Sequence, residues 1–410
     1  MRNANSWSVT EMAGGPTPSD FRSFDVHAKD VRVDAEKIWA QLRECPGLAR
    51  SEALGGFYLI SRYADLKQAL LDHAVFSSAQ GIVVPDQGVR SMHIPAEVDP
   101  PAQRAYRAIM ARHFTPDRVA KMAPHIREIV TALLNRIAGK THVDFVDAFA
   151  RPLPVHVSLT LLGLPDSDAD RLDALVVALH EEVASGVRKG AADQLTAYVR
   201  DTLQARAPDA SLDDDTLVSD IIRGIADGRP LTLDEQVSMV RLILVGGFDS
   251  TAIALATAVW WLAQRPQDLE RLRADPSLID AFNEDVVRFS SPATYLRRTV
   301  SRDVAFGGEQ LNAGDRVVLA FGAANRDPAE FQCSEQVLLD RKPNNHLGFG
   351  FGAHRCIGSW VAKAEMRIAI EELLARYAGL SLDPDKNIAM SSGLNQGIVR
   401  LPIVLKPKGG

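Results

Sequence analysis

Apolar positions recur every three to four residues over much of the chain, and this spacing is typical of amphipathic helices. The pattern predicts six such helices, over residues 33–44, 64–71, 102–113, 119–138, 153–162 and 168–187. Short apolar runs predict strands over residues 56–61, 304–306, 316–320 and 397–405. The sequence therefore predicts a mainly α fold with small peripheral β-sheets.

Residues 242–263 form a long apolar segment with a single charge, Asp249. The segment is long enough to span a bilayer. However, the carboxylate stands near its middle beside Gly246 and Gly247, where exposure to lipid is costly. We therefore predict the buried central helix of a protein that does not enter the membrane.

Composition narrows the class of protein. A chain of 410 residues with 46% hydrophobic content can bury a large core. It shows no break in composition, which predicts one domain over residues 19–410 behind a flexible polar tail, residues 1–18. A net charge of −6 argues against a nucleic-acid partner. Three widely separated cysteines and a polar N-terminus predict a cytoplasmic protein.

The run 349–358 holds a cysteine, Cys356, on a glycine-rich loop ahead of a predicted helix. Backbone N–H groups at a helix start stabilise a thiolate. Gly350 and Gly358 would let the backbone approach a flat macrocycle, Phe349 could pack beside the sulfur, and His354 could reach a heme propionate. A thiolate ligand favours O–O cleavage. The alternative is a glycine-rich loop whose cysteine packs as a small apolar residue.

A second group of residues stands in the central helix. A glycine pair inside a helix costs about 1–2 kcal/mol relative to alanine, so Gly246 and its neighbour suggest a local function. They would leave room for a small ligand, and Asp249, Ser250 and Thr251 follow directly with groups that can carry protons. The alternative is helix packing through small residues, with Asp249 bonded to a backbone group or an arginine.

The pattern Phe-Gly-x-Gly-x-His-x-Cys-x-Gly resembles the heme-binding signature of the cytochrome P450 monooxygenases. The resemblance extends over nearly the whole chain and implies a cytochrome P450 fold, heme b and Cys356 as the axial ligand. It implies that Asp249 and Ser250 are the acid and alcohol that guide protons to oxygen beside Gly246. Most members carry threonine where Ser250 stands, and serine lacks the methyl group that restricts χ1.

The resemblance also implies the groups that neutralise the two propionates. Residues 99–107 resemble the family's C-helix motif, which assigns Gln103 and Arg107 to one propionate. Arg298 falls at the position of a second propionate arginine, with Arg297 as its rival. A solvated surface position is the alternative for each arginine.

Residues 283–288 resemble the family's Glu-x-x-Arg motif, with Asp285 in place of glutamate three residues before Arg288. Arg341 is the expected third member of a buried network. Because aspartate is one methylene shorter, we expect this network to be shifted or bridged by water. An ordinary exposed helix pair is the alternative.

Some stretches resemble the camphor-hydroxylating branch of the family, and others resemble the branch that O-demethylates para-methoxybenzoates. Both imply a small hydrophobic substrate. Arg90 could anchor a carboxylate or be a solvated loop residue, and His93 could donate to a phenol or ketone or simply pack. Leucine at 242 replaces a serine of the benzoate branch, which argues against a carboxylate. The predicted pocket residues are Arg90, Ser91, His93, Leu242, Val245, Thr294 and Leu394.

The predicted activity is hydroxylation or O-demethylation of a methoxy-aromatic or phenolic compound or a monoterpenoid, with O2. The resemblance implies electrons from an iron–sulfur ferredoxin and its ferredoxin reductase, with the ferredoxin docked near Arg107, Arg112 and Arg355. A peroxide-driven hydroxylase, suggested by Ser250, and a non-catalytic heme-binding or sensor protein are the alternatives.

Overall fold

The structure is a computed structural model that describes residues 21–28, 35–85, 93–207, 214–391 and 394–408. The predicted tail and two predicted pocket residues, Arg90 and Ser91, lie outside these ranges. The α-helices within them are α1 Ala35–Glu44, α2 Tyr63–Leu71, α3 Ala102–Ala111, α4 Pro116–Arg136, α5 Pro152–Leu162, α6 Ala169–Ser185, α7 Ala191–Arg206, α8 Leu217–Ile222, α9 Leu233–Gln264, α10 Pro266–Ala274, α11 Ile279–Ser290, α12 Phe321–Ala324 and α13 Ser359–Arg376.

The strands form small sheets around this helical body. The strands are β1 Ala49–Ser51, β2 Phe57–Ile60, β3 Phe76–Ser77, β4 His142–Asp144, β5 Ile225–Ala226, β6 Arg229–Pro230, β7 Tyr295–Val300, β8 Val304–Phe306, β9 Glu309–Leu311, β10 Arg316–Ala320, β11 Tyr377–Leu382, β12 Ala389–Met390, β13 Ile398–Arg400 and β14 Pro402–Pro407. The largest sheet has the order β1-β2-β10-β7-β3, with β10 parallel to β2 and antiparallel to β7. A second sheet has the order β11-β14-β4, and the remaining strands form two-stranded pairs.

The central helix α9 begins with a capping box. The side chain of Thr232 accepts a hydrogen bond from the backbone of Glu235, whose carboxylate accepts one from the Thr232 N–H at 2.7 Å. The helix packs against α5, α7 and α11. Within the described part of the chain it is the one helix apolar and long enough to cross a membrane, and 67% of its apolar window is buried inside the protein. It is an internal helix, as its central charge predicted.

The predicted helices and strands are confirmed, with shifted ends. The last predicted strand is divided at Leu401, whose N–H donates to the Asp144 carboxylate at 3.0 Å and whose carbonyl accepts from the Phe145 N–H at 2.9 Å. The chain therefore leaves β13 at this point and enters a different sheet as β14.

The buried network of α11 is more compact than the sequence suggested. Asp285 and Arg288 have no exposed side-chain surface, and the Asp285 carboxylate bonds directly to Arg288 Nε at 2.5 Å and Arg341 Nε at 2.6 Å. Of the two expected arrangements, a shifted network and a water bridge, the water bridge is not needed, because both guanidinium groups bond directly to the short side chain. Arg288 also donates to the carbonyl of Asn325, and the Asn325 side chain accepts the N–H of Leu347. The network thus holds the chain that leads into the cysteine loop.

Candidate active site

A cavity of about 460 Å³ lies between the central helix α9 and the loop that carries Cys356. Helices α3 and α6 and the segment that follows α11 complete its wall. The residues that the sequence singled out and that line it are His93, Gln103, Arg107, Leu242, Val245, Gly246, Ser250, Thr251, Arg298, Phe349, Gly350, His354, Cys356, Gly358 and Leu394.

The cysteine loop is closed by backbone hydrogen bonds. The N–H of Cys356 donates to the carbonyl of Phe349 at 2.7 Å. Gly352 has a φ of +69°, and a Cβ there would lie 2.8 Å from the carbonyl oxygen of Leu70. Only glycine fits such a position. The loop therefore presents Cys356 to the cavity just before α13 begins.

The electrostatics of the thiol are set by burial and by nearby positive groups. Enclosure by protein raises the pKa of the Cys356 thiol. Hydrogen bonds from the N–H groups of Gly358 and Ser359 and the charges of Arg107 and Arg355 oppose that rise. A thiol in this position is suited to bind a metal centre, which would itself favour the thiolate.

Three groups beside the cysteine loop can carry positive charge but have no acidic partner. Among the described residues, no carboxylate forms an ion pair with Arg107, Arg298 or His354. Burial lowers the pKa of Arg298 to about 10, and burial together with the Arg298 charge lowers the pKa of His354 to about 4. Arg298 is a buried cation without a direct countercharge, which is costly, and the half-buried Arg107 lines the same cavity. With His354 as a neutral hydrogen-bond donor, this donor set fits the two propionates of a heme.

Gln103 and Arg297, two candidates for contacts with the propionates, instead bond to backbone carbonyls. The Gln103 side chain is buried and donates to the carbonyl of Ala353 at 2.9 Å, so it holds the cysteine loop to α3. Arg297 does not line the cavity and donates to the carbonyls of Gln80 and Val83. Of the two rival arginines, Arg298 is the one that faces the cavity.

On the opposite wall, α9 runs without interruption through its glycine pair. A Cβ at Gly246 would meet no atom within 4 Å, whereas one at Gly247 would lie 2.8 Å from the Ser158 hydroxyl of α5. Gly246 therefore leaves open space, and Gly247 allows close packing of two helices. The Ser250 hydroxyl lines the cavity and donates to the Gly246 carbonyl at 3.0 Å.

Asp249 does not line the cavity. Its carboxylate bonds to Arg151 at 3.1 Å and to Nδ1 of His180 on α6. Burial would raise the pKa of Asp249, but the His180 hydrogen bond and the Arg151 charge outweigh it and lower the pKa. Since His180 lines the cavity, it connects Asp249 to that space.

The predicted pocket is brought together in part. His93, Leu242, Val245 and Leu394 line the cavity. Thr294 does not: its hydroxyl donates to the carbonyl of Ser291 at 3.1 Å, which turns the side chain into the protein. This position is a correction to the sequence-based pocket.

Sequence reasoning missed several residues near the site. Ser78 hydrogen-bonds His354 at 3.3 Å and the Asp99 carboxylate at 2.9 Å, and this chain of contacts orients the His354 ring. No pattern in the sequence joins segments so far apart. Arg241 and His180 also line the cavity. Arg241 had a visible signal, because it is a charge standing directly before the apolar segment 242–263.

A helical fold in which a cysteine loop faces a cavity beside unpaired cations defines a heme-thiolate protein. The profile of the family described as cytochrome P450 matches residues 174–407. The chain belongs to the cytochrome P450 family, whose members are heme b monooxygenases.

Similar proteins cover almost all of the chain. It is 31% identical to cytochrome P450 107B1 of Saccharopolyspora erythraea over 96% of this chain and 99% of that protein. It is 32% identical to the mycinamicin IV hydroxylase/epoxidase of Micromonospora griseorubida over 85% of this chain and 89% of that protein. The structure of CYP109E1 from Bacillus megaterium in complex with testosterone matches with a TM-score of 0.84 and 26% identity, over 92% and 99% of the two chains. Hydroxylation is therefore the supported type of reaction.

Proposed function

We propose that this monooxygenase hydroxylates or O-demethylates a small hydrophobic substrate, a methoxy-aromatic or phenolic compound or a monoterpenoid. The observation that carries the proposal is the cavity of about 460 Å³, which has Cys356 in one wall and apolar residues of α9 in another. The heme must share this space, which favours a compact substrate. Leu242, Val245 and Leu394 would pack against it, and His93 would contact a polar substituent.

The residues around the cysteine loop would hold the cofactor. In this proposal Cys356 would be the thiolate ligand, Phe349 would pack beside its sulfur, and Gly350 and Gly358 would allow close approach of the macrocycle. Gly246 would leave room for a small ligand on the opposite wall. The unpaired arginines Arg107 and Arg298 would neutralise the propionates, and His354 would donate a hydrogen bond to one of them. Gln103 would fix the loop between these groups. When bound, the heme supplies the activation of O2 by single electrons.

The residues of α9 would move protons. Ser250 lines the cavity and can pass a hydrogen bond to a small ligand in the space that Gly246 leaves open. Thr251 lines the same wall. Asp249 would act through His180, the cavity-facing group bonded to its carboxylate. When the substrate is a methyl ether, hydroxylation of the methyl carbon gives a hemiacetal, which releases formaldehyde and leaves the phenol.

The electrons would come from a ferredoxin that is reduced by a ferredoxin reductase, in the cytoplasm. Arg355 is exposed on the cysteine loop and supports an acidic partner there. Arg107 is bonded to the Arg355 carbonyl, and Arg112 is engaged by Asp220. We therefore expect Arg355→Glu to raise the apparent KM for the ferredoxin more than Arg112→Glu does. If neither variant changes the apparent KM, the ferredoxin docks on a different surface.

The direct test is a spectral titration of the purified ferric protein with methoxyphenols, para-methoxybenzoates and monoterpenoids. Binding beside the iron displaces its water and gives a low-spin to high-spin shift. A strong shift with one class, followed by formation of its hydroxylated or demethylated product, supports the proposal. The absence of a shift with all three classes would contradict a small-substrate pocket without affecting the family assignment.

A peroxide-driven hydroxylase is the second candidate, because Ser250 replaces the more restricted threonine. The Ser250 hydroxyl donates its single hydrogen to the Gly246 carbonyl in this structure, so it would have to rotate before it could donate to a ligand in the cavity. Product formation with hydrogen peroxide alone, at a rate similar to that with ferredoxin and reductase, would favour this candidate.

A further inference from the structure

Arg241 is a buried arginine in the wall of the cavity. It lies on α9 directly before Leu242, and 3% of its surface is exposed. Its side chain lines the cavity together with Leu242 and Val245. Among the described residues, no carboxylate lies within 4 Å of its guanidinium and its Nε has no hydrogen-bond partner.

The acidic groups that act on Arg241 are already engaged. Asp193 and Glu97 are the carboxylates whose charges reach it. Asp193 accepts from Arg188 at 3.1 Å, and Glu97 accepts from the backbone N–H of His93 at 2.9 Å. Neither carboxylate bonds to Arg241, so the cavity wall contains a guanidinium that has no direct carboxylate partner among the described residues.

This arginine is distinct from the cations of the cysteine loop. Arg241 stands on α9, whereas Arg107, Arg298 and His354 stand on α3, on β7 and on the cysteine loop. A propionate bound by that group would therefore leave Arg241 uncompensated. An unpaired buried charge destabilises a fold by a large amount, so its presence here indicates a binding role.

We infer that Arg241 anchors the carboxylate of the substrate. The inference rests on the proposed function and refines it, since it assigns a carboxylic acid with a compact apolar body to the cavity. A monoanion fits better than a dianion, because one guanidinium supplies one charge and the carboxylates of Glu182 and Asp193 line the same cavity. Leu242, which replaces a serine of the benzoate branch, argued against a carboxylate substrate. In this inference the adjacent Arg241 supplies the contact that the serine would have made.

The helix sets the geometry of this anchor. Arg241 and Val245 are four residues apart and share one face of α9, the face that Leu242 and Gly246 extend. From Arg241 to Gly246, the rise along the helix is about 7.5 Å. A carboxylate held at Arg241 would therefore place an apolar body along Val245 and its far end near the open space at Gly246.

The test compares acids with neutral analogues of the same shape. The ligands are 4-methoxybenzoate and 4-methoxybenzamide, perillic acid and perillyl alcohol, and dodecanoate and dodecanol, titrated into the heme-loaded protein. Binding is followed by the spin-state shift and by calorimetry. We expect the wild type to bind at least one acid about tenfold or more tightly than its neutral analogue, and Arg241→Gln to abolish the difference. Arg241→Lys should restore part of it.

Two controls separate binding from folding. Arg188→Gln removes an arginine of the same wall that has its own carboxylate partner, and the acid preference should remain within about twofold. Without ligand, Arg241→Gln should melt at the same or a higher temperature than the wild type, because it removes an unpaired buried charge. A marked fall in melting temperature would assign Arg241 a structural role and overturn the inference.

The outcomes also separate this inference from the proposed function. If neutral small ligands bind as tightly as acids, the carboxylate inference fails and the small-substrate function stands. If only dodecanoate binds, and does so through Arg241, the carboxylate anchor stands, whereas the compact substrate body and the small-substrate function fail. If no acid of any size binds better than its neutral analogue, the inference is overturned.

Discussion

His180 Nδ1 is hydrogen-bonded to the carboxylate of Asp249, and Nε2 of the same ring is buried without a hydrogen-bond partner among the described residues. The acid of the central helix therefore contacts the cavity through an imidazole. A carboxylate fixes the orientation and tautomer of an imidazole that it bonds. In the proposed function, this pair would give α6 a part in the proton transfer of α9.

We expect Asp249→Asn to slow turnover by about tenfold or more, because it removes a proton-transferring group. Substrate affinity should change by less than about threefold, since Asp249 does not line the cavity. Steady-state rates and spectral titrations measure the two quantities. Asp173→Asn is the control, because Asp173 bonds to the same Arg151 without contacting His180. Parallel losses of rate and affinity in Asp249→Asn would exclude a proton-transfer role.

Ser250 should control how efficiently electrons are converted into product. Threonine adds the methyl group that restricts χ1, so Ser250→Thr should lower the yield of hydrogen peroxide per electron consumed. Ser250→Ala should raise it. The measurement is peroxide and product formed per reducing equivalent with ferredoxin and reductase. If all three proteins form the same amounts of peroxide and product per reducing equivalent, the Ser250 hydroxyl is not part of the proton path.

The ferrous carbon monoxide spectrum tests the ligand. We expect the wild type to give the red-shifted band of a thiolate-bound heme and Cys356→Ala to lose it. Cys45→Ala and Cys333→Ala are matched controls, because these free cysteines do not line the cavity. Loss of the band in either control, with retention in Cys356→Ala, would identify a different ligand.

Asp285→Asn should be severely destabilising. It leaves two buried guanidinium groups, Arg288 and Arg341, without their carboxylate. Removal of one member of a buried ion pair typically costs about 3–5 kcal/mol. We expect a lower melting temperature and a lower fraction of heme-loaded protein. The exposed pair of Asp280 with Arg367 provides the control, since Asp280→Asn should cost less than about 1 kcal/mol.

The cap of α9 should give a pH-dependent contribution to stability. Hydrogen bonds from Arg229, and further ones from Tyr106 and Thr232, lower the pKa of Glu235 to about 2. Because the folded-state pKa is depressed, the stabilisation is complete above pH 4.5 and is lost as the pH falls towards 2. Because the Arg229 side chain is half exposed and solvent screens the pair, the loss by pH 4 should stay below about 0.5 kcal/mol.

Melting temperatures measured between pH 6 and pH 4 test this contribution. The difference between the wild type and Glu235→Gln should narrow as the pH falls. Glu330→Gln is the control, because Glu330 is exposed and its substitution should give a difference that stays constant. A constant difference for Glu235→Gln as well would show that its carboxylate does not contribute through ionisation.

Local patterns in the sequence were sufficient for most of the fold. Helical periodicity located α4 and α5 to within a few residues. The charge of Asp249 in the middle of an apolar segment identified α9 as an internal helix. The break at Leu401 could not be predicted, because it depends on the carboxylate of Asp144 in a distant strand. Such contacts arise only when the chain is folded.

The same division holds for the site. The sequence motifs singled out Cys356, Arg107 and Arg298, and all three line one cavity in the structure. The sequence also assigned Thr294 to the pocket, although a local hydrogen bond to Ser291 turns that side chain away. The position of Arg241 directly before an apolar segment was visible in the sequence. Whether its charge is paired depends on elements far apart in the chain, so the sequence alone could not show that it has no carboxylate partner.

Arg241 and Gly246 belong to one uninterrupted helix, so their separation is maintained by backbone hydrogen bonds and not by a loop. If the carboxylate is held at Arg241 and oxidation takes place near Gly246, the distance between these two residues determines which carbon is oxidised. In a homologous series of acids, the oxidised carbon should stay at a constant number of bonds from the carboxylate. Each added methylene would then lengthen only the end of the molecule beyond the oxidised carbon.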